Sequence, residues 1–543
     1  MKKKVFTYLL LVLGLAVACE SPELEGLRNE VMLANQQIGE PIVGDPANGP
    51  VEVEEGLETM FVSIGQSAKR YSTPDDWEFL MILFCNDLEG ADALIADSGY
   101  NWFSVCGKLS SRNANYRNPH IRYYAPYDMI RSVNTFLDNF DEDVTNPDFI
   151  NRMAQARALR AWSYMLLTNN YQFSYLTAAD KPAVPIVTQE TTDFTNNPRA
   201  SVKEVYDLII EDLIYAVEHL EGDSRTSKMH IDGNVAHGLR ARAYLEMGEW
   251  QKAYDDAVKA MQGYSPATRD EVSKPAFYDI SEHNWIWGYD MTADISSRYL
   301  YATTSAWLRS FSGWGYAPAC QMYTCINKIL YDKIPDTDIR KQWWVDENLE
   351  STLLDGLKWP GFEDVAHADD GGDAKLPYLP YTNVKFGCYT VGTTTNDEDM
   401  PLMRVEEMIL IQAECKARVG DDSGAKKILE DFVRTYRDPY YSADAGGRSL
   451  LDEIWFQRRV ELWGEGFFVS DMKRLDKPLV RFHDDKGNIA EAFRFNLPHD
   501  DPWLLMRFPQ GELNANFGIV DNTGGHQPVT DENPGLLDGV TDK

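Results

Sequence analysis

The sequence predicts a mainly α-helical protein: a scaffold of repeated helix–turn–helix units carrying an inserted, irregular, loop-rich module with short strands. Three observations lead there. Apolar and small residues recur at intervals of three and four through most of the long segments. Ala241, Gly248 and Ala253 are matched at identical spacing by Ala413, Gly420 and Ala425. Between about 265 and 400 the composition shifts to Trp, Tyr, Gly, Ser and Thr, with no long helical stripe.

Taken in order, the chain opens with Lys2, Lys3 and Lys4, then an apolar run from Val5 to Val17, then Ala18 and Cys19. This is the pattern of a signal peptide, residues 1–18, too short in its apolar part to span a bilayer. Small residues before Cys19 resemble a bacterial lipobox, although Ala16 stands where Leu, Ile or Val is usual, so Cys19 is expected to carry a lipid. The acidic text of residues 19–54 reads as a tether between that lipid and a folded body. Residues 55–264 read as an N-terminal helical-repeat part. Asp75 to Ile95, Tyr124 to Phe140 and Pro147 to Asn169 carry helical text. Ser201 is an N-cap with Glu204 three residues on, opening a helix whose stripe runs through Val205, Leu208, Ile209, Leu213 and Val217 to Leu220.

The string HGLRARAYLEMGEWQKAYDDAVKAM reads helix, turn, helix. Ala241, Ala253, Ala257 and Ala260 let two helices approach closely, Tyr244 fills the wedge, and Gly248 ends the first helix. VEEMILIQAECKARVGDDSGAKKILEDFV repeats the pattern, which is tetratricopeptide-like in spacing. Residues 265–400 form the inserted module, expected to hold the ligand because loops on a rigid scaffold are where binding residues concentrate. Residues 401–543 complete the helical-repeat part.

Composition narrows the function. The net charge of −33 repels phosphate backbones, so nucleic acid is a poor partner. The six cysteines beyond Cys19 match no common zinc spacing. Cys85 and Cys415 lie in apolar helical text and read as buried thiols, while Cys320 and Cys325 are a close pair that export would allow to form a disulfide or to remain free. The 85 acidic residues guarantee that some carboxylates face an aromatic cleft, so a glycoside hydrolase is the rival from another class; abundance alone does not support it. No nucleophile elbow, HExxH or phosphate loop is present, and no enzyme is expected.

Six strings in order carry a family resemblance: YAPYDMIRSVNTFL with Tyr127 and Asn134; QARALRAWSYMLLTNNY followed by a loop with Pro185; PDTDIRKQWW with Asp338 and Arg340; VKF at Val384; PLMRVEEMILIQAECKARVG; and IWFQRRVELWGEGFFVSDMKRL. The last holds Arg458, Glu461, Glu465, Gly466, Asp471 and Arg474, with Gln457 where Glu is usual. Together they resemble the SusD-like (RagB/SusD) family of outer-membrane nutrient-binding lipoproteins over nearly the whole mature chain. The resemblance implies a cell-surface protein that captures oligosaccharide and delivers it to a SusC-like TonB-dependent transporter, with a peptide ligand as the alternative. Arg404, Glu407, Arg458 and Glu461 are read as lying at the edges of amphipathic helices, where they are expected to be ion pairs between packed helices.

A sugar ring offers an apolar C–H face and a polar edge, so exposed aromatics beside amides, carboxylates or guanidiniums are its natural receptors. Asn101 and Trp102 lie in a loop where the resemblance places part of the glycan site. WIWGYD sets Trp285, Trp287 and Tyr289 on one face of an extended segment, with Trp287 read as core and Tyr289 and Asp290 kept as candidates because they end the strand. In TSAWLRSFSGWGYAP, Trp307, Arg309, Trp314 and Tyr316 are candidates, and Trp314 leads because Gly313 and Gly315 flank it. No cofactor is expected. Asp369, Asp370 and Asp373 in AHADDGGD could ligate calcium or simply form a solvated turn.

Overall fold

The computed structural model describes residues 50–65, 71, 73–97, 102–140, 144–297, 303–313, 315–372 and 374–543. Cys19, the signal peptide and the acidic tether up to residue 49 lie outside the described residues.

The longest elements are α1 (Pro50–Ser63), α2 (Glu78–Glu89), α3 (Arg117–Leu137), α4 (Pro147–Tyr171), α5 (Val202–Leu220), α6 (Gly233–Met247), α7 (Trp250–Ala260), α8 (Val405–Arg418), α9 (Asp422–Tyr436), α10 (Leu450–Glu461) and α11 (Phe468–Arg474). From α3 to α9 each helix packs on the next, so seven helices form one continuous array. The array is unbroken in space even where it is interrupted in sequence: α7 lies against α8, although about 140 residues separate them. The intervening chain is an excursion from that seam, which keeps it close to rigid helices.

Local sequence explains the helix ends. Ser201 and Glu204 form the reciprocal capping box that starts α5. Asn146 caps α4 by accepting from the Asp148 N–H, with Pro147 in the first turn where its missing N–H costs nothing. The α6–α7 and α8–α9 hairpins share one turn. Gly248 and Gly420 both sit in the left-handed region, at φ 76° and 83°, which favours glycine. Their N–H groups donate to Leu245 and Ala417, and the following Glu249 and Asp421 donate to Tyr244 and Lys416. Ala241, Ala253, Ala413 and Ala425 are all fully buried, as close helix contacts require.

Strands are few and short. β1 (Ala93–Leu94) pairs with β5 (Cys325–Ile326), β2 (Pro182–Pro185) with β3 (Arg199–Ser201), and β4 (Trp285–Tyr289) with β6 (Met400–Arg404), all antiparallel. β4 lies at the start of the inserted chain and β6 at its end, so this ribbon closes the excursion just before α8. Both its faces are covered and all ten residues are buried. Among the described residues the six cysteines, Cys320 and Cys325 included, are free thiols.

The family-signature charges pair, but deep inside the protein rather than at helix edges. Glu461 of α10 accepts two hydrogen bonds of 2.9 Å from Arg437, and one of 3.3 Å from each of Arg404 and Arg340. Glu465 accepts from Arg404 at 2.7 and 2.8 Å and from Lys385 at 2.7 Å. Glu406 pairs with Arg404 and Arg437, and Asp338 with Arg340. Four cations face four carboxylates, so the lattice is neutral. Gln457, the departure from the usual Glu, accepts from Arg340 at 2.6 Å without adding a fifth anion. Burial alone would push the Glu461 carboxyl up, yet Arg437, Arg404 and Arg340 hold it well below the usual range.

Asp87 of α2 is a second buried tie. It accepts from the N–H groups of Gly466 at 2.8 Å and Phe468 at 3.3 Å, joining the N-terminal helices to the closing segment. Burial pushes its carboxyl up to about 7, against those two hydrogen bonds.

Two outcomes follow. Glu461→Gln removes one charge facing three buried guanidiniums and should cost about 3–5 kcal/mol in denaturant unfolding; a loss under about 1 kcal/mol would show that the lattice does not hold the parts together. Asp87 binds a proton more tightly folded than unfolded. The stability it contributes is complete below about pH 4 and lost as pH rises to about 7. Asp87→Asn, with no proton to lose, should flatten the fall in unfolding free energy between those pH values, and an unchanged slope would assign that fall to other groups.

Candidate functional site

Among the described residues the sequence candidates fall into two groups. Trp102, half-buried, opens onto the surface just before a short helical turn (Ser104–Gly107). Its ring is covered on one side by Arg117, the first residue of α3, whose guanidinium lies 5.2 Å from the ring centroid and 5.9 Å from that of Tyr71. Asp75 fixes the guanidinium, accepting at 2.8 and 2.9 Å. Burial pushes the Asp75 carboxyl above its ordinary value while Arg117 pulls it back. The arrangement is a flat indole braced by a cation that is itself oriented by a carboxylate.

Beside Trp102 lies a hollow lined by Asp75, Val105, Asn118 and Arg122, with room for about one water-sized group. Asn118 spends its Oδ1 on Arg122, at 3.2 Å, and its buried Nδ2 has no hydrogen-bond partner. Asp75 Oδ1 is likewise buried and unpartnered. One donor and one acceptor therefore face a site that also offers an aromatic plane, a combination that suits a hydroxyl group on a ring.

A chain of rings connects this site to the inserted module. Phe103 meets Trp307 edge to face at 4.7 Å, and Trp307 stacks on Tyr316 at 4.9 Å and 15°. Tyr316 ends this run of rings, and Trp102, the chain neighbour of Phe103, adjoins it at the other side; both are half-buried.

Trp307 itself is fully buried in that chain and has no face left for a ligand. Arg309 is also fully buried: its Nε and Nη2 donate at 2.9 Å to the carbonyls of Gly387 and Phe277, so it ties loops of the module together. Tyr289 is buried because β4 is covered on both faces, and its hydroxyl donates to Val62 at 2.9 Å. The end of the strand gives it no exposure. These three are scaffold. Asp290 remains half-buried, its carboxyl pushed up by burial and by Asp279, away from the ring chain.

Asn101, Trp314 and Asp373 lie outside the described residues. The glycine beside Trp314 has another reason to be there: a Cβ at Gly313 would lie 1.9 Å from the Gly392 carbonyl oxygen, so close backbone approach, not exposure of the neighbouring indole, requires glycine. Asp369 and Asp370 spend carboxylate oxygens on the backbone N–H groups of Gly371, Ala374 and Lys375, and among the described residues no cluster is arranged to hold a metal ion. Sequence reasoning missed Tyr71, Asp75, Arg117 and Asn118. Each is far from Trp102 in the chain, and no spacing signals that α3 begins against that indole.

Comparison with known proteins gives consistent findings. Residues 51–245 match the family model described as starch-binding and associating with the outer membrane, and residues 366–524 match that of the SusD family. No curated protein matches the sequence. Among solved structures, a SusD-like carbohydrate-binding protein from Bacteroides vulgatus is 24% identical with a TM-score of 0.70, over 87% of this chain and 97% of that one. A SusD superfamily protein from Bacteroides thetaiotaomicron is 18% identical with a TM-score of 0.67, over 87% and 99%. A laminarin-binding SusD-like protein is 18% identical with a TM-score of 0.60, over 88% and 99%. The structural likenesses establish the shared mainly helical fold, and with two family models that between them span more than half of the sequence, they place this chain in the SusD-like family.

Proposed function

We propose that the chain captures oligosaccharide at the cell surface on a platform centred on Trp102 and delivers it, unmodified, to a SusC-like TonB-dependent transporter, held to the outer membrane through a lipid on Cys19. The observation that carries the binding role is the indole of Trp102 braced by Arg117 beside two unpartnered buried groups, Asp75 Oδ1 and Asn118 Nδ2. Stacking takes the apolar face of a sugar, and the donor and acceptor take a hydroxyl at its edge. Tyr316, which reaches Phe103, the chain neighbour of Trp102, through Trp307, supplies a second half-exposed ring, and Asn101, next to Trp102, and Trp314, two residues before Tyr316, are proposed to complete the platform. Membership of a family with carbohydrate-binding members supports the ligand class. The basic start, the short apolar run and the small residues before Cys19 support the anchor.

Calorimetry of the mature chain with starch-type and laminarin-type oligosaccharides tests the site. Trp102→Ala should weaken binding roughly thirtyfold, about 2 kcal/mol, with the melting temperature nearly unchanged, and Trp314→Ala should weaken it similarly. Trp463→Ala is the control. That indole is buried and donates to Asp92 at 3.0 Å, so its loss should lower stability and spare the affinity of the folded fraction. Wild-type affinity in Trp102→Ala would overturn the platform, and cleaved sugar after incubation would overturn the non-enzymatic reading. Cys19→Ala should release the protein from the outer-membrane fraction; retention as firm as wild type would remove the anchor assignment.

A further inference from the structure

A cleft separate from the Trp102 platform opens where α2, α4, α6, α8, α10 and α11 converge, with an empty volume, open mouth included, of about 930 Å³. Its walls are mostly apolar, with Met165, Phe173, Leu245 and Ile411 among them. Two polar side chains in the lining are left incomplete. Arg458 of α10 gives its Nε to Asp471 at 2.7 Å, but its Nη1 has no hydrogen-bond partner although the residue is only 2% exposed. Asn86 of α2 accepts from Arg122 through Oδ1, and its Nδ2 has no partner at 1% exposure.

Buried polar groups without partners are rare because each forfeits a hydrogen bond to water. Here the two come from different helices and line the same cleft, and both are donors, one of them on a cation. What completes both is an oxygen acceptor carrying negative charge, and the walls call for a short hydrocarbon stem behind it. We infer that this cleft is a second ligand site, which binds a short-chain aliphatic carboxylate with its oxygens on Arg458 Nη1 and Asn86 Nδ2 and its chain along Met165 and Phe173. The fixed carboxylates of the lining do not oppose this. Asp471 is shared by Arg458 and Arg474, Glu407 by the two nitrogens of Arg242, and Glu465 by Arg404 and Lys385. Glu246, 3.7 Å from Arg474, has its carboxyl pushed up to about 7 by burial, so near neutral pH it carries only part of its negative charge, and that part faces Arg474.

Calorimetric titration of the full mature chain with sodium hexanoate tests the site, with hexylammonium chloride and hexanol as probes of the same length and different heads. Hexanoate should bind saturably at one site at millimolar or lower concentration, and the other two should not. Asn86→Asp keeps the oxygen that accepts from Arg122 and replaces the free donor with a carboxylate, so hexanoate affinity should fall about tenfold or more. Met165→Trp leaves both donors in place and fills the entrance; it should abolish binding too, and serves alone should Asn86→Asp not fold. Failure of hexanoate to saturate, equal binding of hexylammonium, or wild-type affinity in a variant whose melting transition is intact would overturn the proposal and leave the cleft as a water-filled seam. Glycan affinity should be the same in wild type and Met165→Trp, so failure here is distinguishable from failure of the Trp102 platform.

Discussion

The structure depends on keeping a set of buried charges neutral. Arg340 and Lys385 come from the inserted chain, Arg404 from the strand that ends it, Arg437 from the segment after α9, and Glu461 and Glu465 from the end of α10 and the loop after it. No one of these segments could bury its charge alone, since an unpaired ion in the interior costs several kcal/mol. Each is therefore buried only when the others are in place. This converts a set of separate loops and helices into parts that must assemble together, and it explains why the signature string of the C-terminal part is dense in Arg and Glu although it lies in the core.

That constraint also positions the ligand platform. The inserted chain leaves the helical array after α7 and returns through β6 into α8, with β4 and β6 paired across the seam. Arg309 binds its loops together through backbone carbonyls, and Trp307 anchors it to Phe103 in the N-terminal part. Trp102 and Tyr316 can then stand at the surface without carrying the packing themselves. The division of labour is physical: buried rings join the two parts, and their half-exposed neighbours offer faces to solvent.

Much of the scaffold was legible in the sequence because helices announce themselves locally. The Ser201–Glu204 cap and the small residues at Ala241 and Ala413 depend only on neighbours three to twelve positions away, and Gly248 and Gly420 end their helices with the same left-handed turn. The platform was legible only in part. Trp102 and Tyr316 could be picked as aromatic residues in loops, but the same reasoning picked Trp307, Tyr289 and Arg309, which the fold buries. Exposure of an aromatic is decided by what packs over it, and here that comes from distant chain: Val62 and Gly65 against the Tyr289 ring, the Phe103 turn over Trp307. Arg117, Asp75 and Asn118 were invisible for the same reason. The expectation that signature ion pairs lie at helix edges failed because charge pattern gives partners without giving depth.

The chain's net charge of −33 has a structural counterpart in this division. The lattice around Glu461 is balanced, so it contributes none of the excess, which must reside elsewhere, largely on solvated surface where separate carboxylates are screened over roughly 8–10 Å. Such a surface repels polyanions and leaves a neutral ligand unaffected. An uncharged sugar pays no electrostatic cost to approach Trp102, and the cation braced against that indole, Arg117, is already paired with Asp75 and acts through its flat face rather than its charge, while Arg122 in the hollow beside it is paired with Glu89. Selectivity there must come from shape, stacking and hydroxyl hydrogen bonds. The cleft at Arg458 works by the opposite logic: there a cation keeps an unfilled donor out of reach of bulk water, so charge rather than shape decides what enters.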